Sequence, residues 1–167
     1  DWDPAKRAIR GGAIVPRLLD YNHPILKEFE VAIVTTISNY VKSLKDQSAH
    51  PFLGYKPKRY TMDIWANVLG SNDHQSGHIH NQGWMSGVYY VAVPENLSDN
   101  NDFAGWLEFN RPGYGLPVLG GEDCIERIEP KPGTIVMFPS YVWHGTIPFN
   151  SPDNRISVAF DIHADDS

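Results

Sequence analysis

From residue 60 onward the chain consists of short runs rich in β-branched and aromatic residues, separated by Gly, Pro, Asn and Asp. This pattern is typical of β-strands joined by turns and loops. Seven strands are predicted, at Tyr60–Leu69, Trp84–Val93, Gly105–Phe109, Cys124–Ile128, Gly133–Phe138, Val142–Thr146 and Arg155–Ile162. Because they do not alternate with helices, the pattern predicts a barrel or sandwich and not a doubly wound sheet.

One long helix is predicted before these strands. Between Pro24 and Leu44 the apolar residues recur at spacings of three and four, which indicates an amphipathic helix with one buried face. Asn22 or His23 can cap it, and Pro24 suits the first helical position. We expect a single domain in which residues 1–59 form an N-terminal segment whose helix packs on the barrel, and residues 60–167 form the β core.

Charge and composition exclude several classes of protein. The net charge of -6 and the lack of long basic runs argue against a nucleic-acid partner. No apolar run has the length of a membrane span, so we expect a cytoplasmic protein without a membrane partner. The single cysteine, Cys124, cannot form an internal disulfide, and its acidic neighbours Glu122, Asp123 and Glu126 oppose thiolate formation.

Histidines and an arginine occur in a suggestive order. His78 and His80 lie in SGHIHNQGWMSGVYYV, where they either bind a metal or merely share a strand face; His144 follows in PGTIVMFPSYVWHGTI. Arg155 and Ser157 share a face of the last strand because side chains alternate. The order fits an iron site with three protein ligands and open positions for substrate and oxygen. The planar guanidinium of Arg155 suits the far carboxylate of a diacid.

Four segments carry a family resemblance: HIHNQGWMSGVYYV, GWLEF, PKPGTIVMFPSYVWHGTIPF and RISVAFDI. From about Tyr60 to its end the chain resembles the Fe(II)- and 2-oxoglutarate-dependent dioxygenases, above all the prolyl-hydroxylase-like branch and related bacterial and phage oxygenases. The early RGG at residues 10–12 also looks like the lead-in of some members. The resemblance implies a mainly β, double-stranded β-helix (jelly-roll, cupin-like) fold with Fe(II), 2-oxoglutarate and O2.

The resemblance also implies roles for individual residues. His78 matches the first iron ligand, His144 the distal histidine ligand, and Arg155 the partner of the distal carboxylate of 2-oxoglutarate. Tyr90 matches a tyrosine whose hydroxyl assists that carboxylate, and Ser157 is a helper in the R-x-S position.

His80 departs from the family pattern, in which H-x-D supplies an aspartate ligand. As the third ligand, His80 makes the set of protein ligands neutral. Asp73 and His74 precede the pair, but no spacing argument makes them ligands. The D-x-H pair of Asp161 and His163 lies after the arginine, and we interpret it as unrelated to the site.

Three functions follow as hypotheses. The first is an oxygenase that couples 2-oxoglutarate decarboxylation to hydroxylation of a small molecule or peptide. The second is a three-histidine dioxygenase that does not use 2-oxoglutarate, and the third is a non-catalytic metal-binding barrel. Loops 94–104 and 110–123, which would select the substrate, contain no diagnostic residues.

Overall fold

The computed structural model describes residues 8–45, 47–95, 97 and 103–165. One α-helix, α1, spans Pro24–Ser43. The strands are β1 (Ile9–Arg10), β2 (Ala13–Val15), β3 (Tyr60–Leu69), β4 (His74–Gln75), β5 (Met85–Ala92), β6 (Leu107–Phe109), β7 (Glu126–Ile128), β8 (Ile135–Pro139), β9 (His144–Thr146) and β10 (Arg155–Ala164). The mainly β architecture with one N-terminal helix is therefore as predicted.

Two antiparallel sheets enclose the interior. The major sheet has the strand order β2-β3-β10-β5-β8, and the minor sheet has the order β7-β6-β9. A separate pair, β1 with β4, lies near them, and a bridge between His78 and His144 ties the segment after β4 to the minor sheet. Val88 and Tyr90 of the major sheet pack with Leu107 and Phe109 of the minor sheet, so an apolar core lies between the two sheets.

Strand β10 separates the two faces of the major sheet. Its even-numbered residues Val158, Phe160 and Ile162 are buried with Ile33 and Ile37 of α1. Its odd-numbered residues face the other way, because side chains alternate along a strand. One face of the major sheet is thus covered by the helix, and the opposite face is left to line the interior.

The N-terminus of α1 has the cap and the proline that the sequence predicted for it. The Nδ1 atom of His23 accepts a hydrogen bond of 3.3 Å from the Ile25 amide, and Pro24 occupies the first turn, where its missing N–H costs nothing. Of the two capping residues considered, His23 is the one that caps. No helix in the described ranges is long and apolar enough to cross a membrane.

The structure differs from the predicted strands at several boundaries and in three additional short strands. Strands β6, β8 and β9 begin two residues later than predicted, at Leu107, Ile135 and His144. Cys124 was predicted to begin a strand, but it ends a short 3-10 turn, Glu122–Cys124, and the strand begins at Glu126. The short strands β1, β2 and β4 were not predicted, since two or three residues are too few for a periodic signal.

The RGG segment forms a tight turn between β1 and β2. Gly11 and Gly12 have φ of 73° and 67°, and a Cβ on Gly12 would lie 2.5 Å from the Val68 carbonyl oxygen. Only glycine adopts this backbone next to β3 without strain. The turn lets β2 join the edge of the major sheet.

Candidate metal centre

Three histidines converge at the open end of the interior. His78 and His80 lie in the segment between β4 and β5, and His144 begins β9. One ring nitrogen from each lies within 4.8 Å of the others. This spacing lets a single ion bind all three, because histidine nitrogens bind first-row metals at about 2.0–2.1 Å.

The outer nitrogen of each ring faces an oxygen. Nδ1 of His78 lies 2.9 Å from the Ser76 carbonyl oxygen, and Nδ1 of His144 lies 3.0 Å from that of Val142. Nδ1 of His80 lies 2.5 Å from Oδ1 of Asp161. Carbonyl and carboxylate oxygens only accept, so the hydrogen-bond pattern assigns the proton to each Nδ1 and leaves Nε2 with a free lone pair.

Burial keeps two of these rings neutral. Burial, helped by the neighbouring His80, lowers the pKa of His78 to about 4. Burial and the neighbouring His78 also lower the pKa of His144 well below its usual value. Metal ligation requires the unprotonated nitrogen, so both rings are ready to bind near pH 7.

Arg155 lies on the same interior face and has no anionic partner. Its side chain is 2% exposed, and its Nε makes no hydrogen bond. Within the described part of the chain no carboxylate pairs with it; its nearest support is the ring of Tyr90, 5.0 Å below the guanidinium carbon. Burial lowers its pKa, which is the effect expected of a cation held away from water. A buried cation without a partner is costly unless an anion is supplied from outside the chain.

Other polar atoms beside Arg155 are also incompletely hydrogen-bonded. Asn67 Oδ1 and the Tyr90 hydroxyl are buried without a well-formed hydrogen bond, and the hydroxyl lies near enough to Arg155 for the two groups to perturb each other. In the sheet register Ser157 lies opposite Asn67 on one side and Tyr90 on the other, so the three residues form a row across β3, β10 and β5. Burial raises the pKa of Tyr90, and the charge of Arg155 opposes that rise. These groups are consistent with a site that a polar ligand completes.

A single cavity joins the histidines to Arg155. Its lining includes His78, His80, His144, Asn67, Thr146, Arg155 and Ser157. Five of the six predicted site residues line it. Tyr90 does not, but it supports the guanidinium from below. Their roles in binding remain predictions.

Asp73 and His74 lie outside the cluster. Asp73 Oδ2 accepts a hydrogen bond of 2.8 Å from the Gly70 amide and so shapes the turn after β3. Nδ1 of His74 lies 3.4 Å from the Asn72 carbonyl oxygen in the same turn. Of the predicted substrate loops, residues 96 and 98–102 lie outside the described part of the chain.

The position of Asp161 in the structure differs from what the sequence led us to expect. We expected it to be unrelated to the site, yet its carboxylate contacts His80 and the hydroxyl of Ser86. Strand alternation places Asp161 on the same face as Arg155, six residues before it, but it does not show that His80 lies beside that face. His163 does lie apart, 3.2 Å from Asp63.

Two facing antiparallel sheets with a histidine cluster at one end define the class of this protein: a double-stranded β-helix with a metal-binding arrangement. Residues 63–161, more than half of the chain, match the family described as "Putative 2OG-Fe(II) oxygenase", and the chain belongs to that family. Family membership implies Fe(II) and 2-oxoglutarate. No curated protein matches the sequence.

Solved structures confirm the predicted fold. A prolyl-4-hydroxylase of Pseudomonas putida superposes with a TM-score of 0.61 at 15% identity, over 98% of this chain and 77% of that one. A viral collagen prolyl hydroxylase from Paramecium Bursaria Chlorella virus-1, solved with 2-oxoglutarate, gives 0.60 at 12%, over 97% and 82%. HygX from Streptomyces hygroscopicus, with nickel, 2-oxoglutarate and hygromycin B, gives 0.62 at 11%, over 98% and 72%.

Proposed function

We propose that this protein is an Fe(II)-dependent oxygenase that couples decarboxylation of 2-oxoglutarate to hydroxylation of an organic or peptidyl substrate. One observation carries the proposal. A buried guanidinium without an anionic partner, Arg155, shares a cavity with the three-histidine cluster. This pairing suits a ligand that has a carboxylate at one end and a metal-chelating group at the other.

The histidines fit the metal by their donor chemistry. Imidazole nitrogen suits iron, and each Nε2 lone pair is left free by the hydrogen bond at Nδ1. His78, His80 and His144 would hold the ion. When bound, Fe(II) supplies the activation of dioxygen that no side chain can provide.

Arg155 would fix the far carboxylate of 2-oxoglutarate. Its fork of donors matches a carboxylate in a bidentate pair, and the low-dielectric interior strengthens that pair. The Tyr90 hydroxyl and Ser157 lie beside it and would accept or donate the remaining hydrogen bonds. The protein thus orients the cosubstrate and excludes water, which is the usual contribution of a protein to cofactor chemistry.

The substrate class stays broad. Two of the structural neighbours are prolyl hydroxylases, which supports a peptidyl substrate, whereas HygX was solved with hygromycin B, which supports a small molecule.

The first test is an anaerobic titration of metal-free protein with Fe(II) and then 2-oxoglutarate. We expect the weak visible charge-transfer band of the chelated keto acid, and its loss in Arg155→Ala at the same 2-oxoglutarate concentration. Arg155→Lys is the matched control: it keeps the charge but loses the fork, and should give an intermediate affinity. If iron binds and no band forms at saturating 2-oxoglutarate, the cosubstrate assignment is wrong.

Turnover separates the proposal from its rivals. Stoichiometric release of succinate with substrate oxidation would support it. Substrate oxidation without succinate would instead indicate a three-histidine dioxygenase that does not use 2-oxoglutarate. Failure to bind Fe(II) would indicate a non-catalytic barrel.

A further inference from the structure

We propose that Asp161 is a positioning residue for His80. Its carboxylate lies behind the His80 ring, one side chain further from the metal than a ligand. There it supplies the negative charge that an aspartate ligand would otherwise provide. The inference rests on the metal site of the proposed function but not on its cosubstrate. It concerns a residue outside the ligand set, so it is tested by metal binding and by the state of the His80 ring.

The geometry of the pair is specific. Oδ1 of Asp161 lies 2.5 Å from Nδ1 of His80, and the two side chains are only 14% and 16% exposed. A carboxylate at this position accepts the Nδ1 proton and fixes the ring so that Nε2 points into the cavity.

Two buried serines hold the carboxylate in place. The Ser86 hydroxyl donates to Asp161 Oδ1 at 2.6 Å and lies 2.7 Å from the Ser140 hydroxyl. Both serines are at most 1% exposed. Because Asp161 can only accept, the chain of donors runs from Ser140 to Ser86 to Asp161, and the His80 N–H reaches the same oxygen.

Ser140 also holds the backbone of His80 by a hydrogen bond. The His80 amide donates to the Ser140 carbonyl oxygen at 3.0 Å. Strand register places Ser86 directly opposite Asp161, so these two members of the network are held by the adjacent interior strands β5 and β10. Sites built on strands are held more exactly than those built on loops.

His80 differs in this respect from the other two ligands. His78 and His144 each face a backbone carbonyl, whereas His80 faces a carboxylate. A charged acceptor makes the ring a stronger electron donor than a carbonyl does. His80 stands where the family resemblance expects an aspartate ligand. It is also the histidine whose ring contacts a carboxylate, that of Asp161.

The test compares Asp161→Asn and Asp161→Ala with Asp63→Asn. Asp63 is a matched control, because it lies opposite Asp161 in the register and also contacts a histidine, His163, away from the cavity. We expect Co(II) affinity to fall by about 10- to 100-fold in both Asp161 variants and to stay unchanged in Asp63→Asn. Circular dichroism and thermal unfolding check that each variant folds.

Two readouts distinguish positioning from a structural role. Long-range ¹H–¹⁵N spectra of the metal-free protein should show His80 as the Nδ1–H tautomer, and a mixture of tautomers in Asp161→Ala. In a His80→Ala background no ring remains to be positioned, so Asp161→Asn should cause little further loss of Co(II) affinity; a purely structural role would give the full loss in both backgrounds.

The inference is overturned if folded Asp161→Asn and Asp161→Ala bind Co(II) as the native protein does. It is also overturned if His80→Ala retains native affinity while Asp161→Ala loses it, since Asp161 would then be the ligand itself. Neither outcome depends on 2-oxoglutarate, so the absence of a charge-transfer band would reject the proposed function and leave this inference standing.

Discussion

The backbones of His78 and His144 hydrogen-bond to each other in both directions. The His78 amide donates to the His144 carbonyl oxygen at 2.9 Å, and the His144 amide donates to the His78 carbonyl oxygen at 3.0 Å. Two predicted ligands 66 positions apart in sequence are thus fixed by main-chain bonds, before any metal is considered. Their side chains come close for the same reason: directly opposed residues of an antiparallel pair share a face.

Gly145 permits this close approach. A Cβ at this position would lie 2.7 Å from the Gln75 carbonyl oxygen and 3.1 Å from the Gly77 amide nitrogen. Gly145→Ala should therefore push β9 away from the segment that contains His78. We expect a loss of about 1–3 kcal/mol in unfolding free energy and a clear loss of Co(II) affinity, measured by urea unfolding and by metal titration.

Gly54→Ala is the control for that variant. Its Cβ would lie 2.7 Å from the Ser48 carbonyl oxygen and 2.8 Å from that of His50, a backbone clash like that at Gly145 but at a residue that does not line the cavity. It should destabilise the protein to a similar degree and leave Co(II) affinity near native. Equal loss of affinity in both variants would mean that Gly145 acts through global stability and not through the histidines.

The metal-free protein should become less stable as the pH falls from about 6.5 to about 4. The pKa of His78 falls from 6.5 to about 4 on folding, mainly through burial. In this window the unfolded chain binds a proton that the folded chain does not, so protonation favours unfolding. The cost reaches up to about 3 kcal/mol near pH 4, and His144 adds to it in the same direction.

Urea unfolding of metal-free protein at intervals between pH 7 and pH 4.5 measures this effect. His78→Gln removes one titrating ring from the cavity, so its stability should depend less steeply on pH than that of the native protein. Identical slopes for the two proteins would contradict the assignment of the effect to His78.

The longer elements of this fold could be predicted from the sequence, because β3, β5, β10 and α1 are long enough to show a period. Strand β3 begins and ends where the alternation indicated, and α1 ends within one residue of its predicted end. Cys124 could not be placed correctly, because a 3-10 turn of three residues has no period of its own. The order of His78, His144 and Arg155 was informative because His144 and Arg155 lie on predicted strands and His78 precedes one.

The carboxylate behind His80 could not be found by spacing. Asp161 is 81 residues from His80 in sequence, and only the pairing of β5 with β10 brings the two together. A D-x-H pattern at the end of a chain gives no sign of which strand lies beside it. The sequence does show that Arg155, Ser157 and Asp161 follow one another at spacings of two and four residues and so share one face of the strand. It does not show which residue of another segment contacts that face.

Trp65 offers an internal probe of the metal site. Its ring lies 5.8 Å from that of His80, centre to centre, and it lines the same cavity. Co(II) bound by the histidines should quench its fluorescence, and Trp65→Phe should remove most of the metal-dependent quenching while leaving affinity nearly unchanged. Quenching that survives in Trp65→Phe would place the metal elsewhere.

Replacing Arg155 by methionine should stabilise the protein that has neither metal nor cosubstrate. The native guanidinium is 2% exposed without a counter-ion in the described chain, so it carries a desolvation cost that only a bound anion offsets. Arg155→Met fills a similar volume without that cost, and we expect a gain of about 1–4 kcal/mol in unfolding free energy. The same variant should lose the rise in melting temperature that 2-oxoglutarate gives the native Fe(II)-loaded protein under anaerobic conditions, because the carboxylate no longer has a partner. Affinity for 2-oxoglutarate should fall at least about 30-fold, the result expected when one partner of a buried charge pair is removed. If Arg155→Met is less stable than the native protein when both lack ligands, the guanidinium has a structural role, and its assignment to the cosubstrate loses its main physical support.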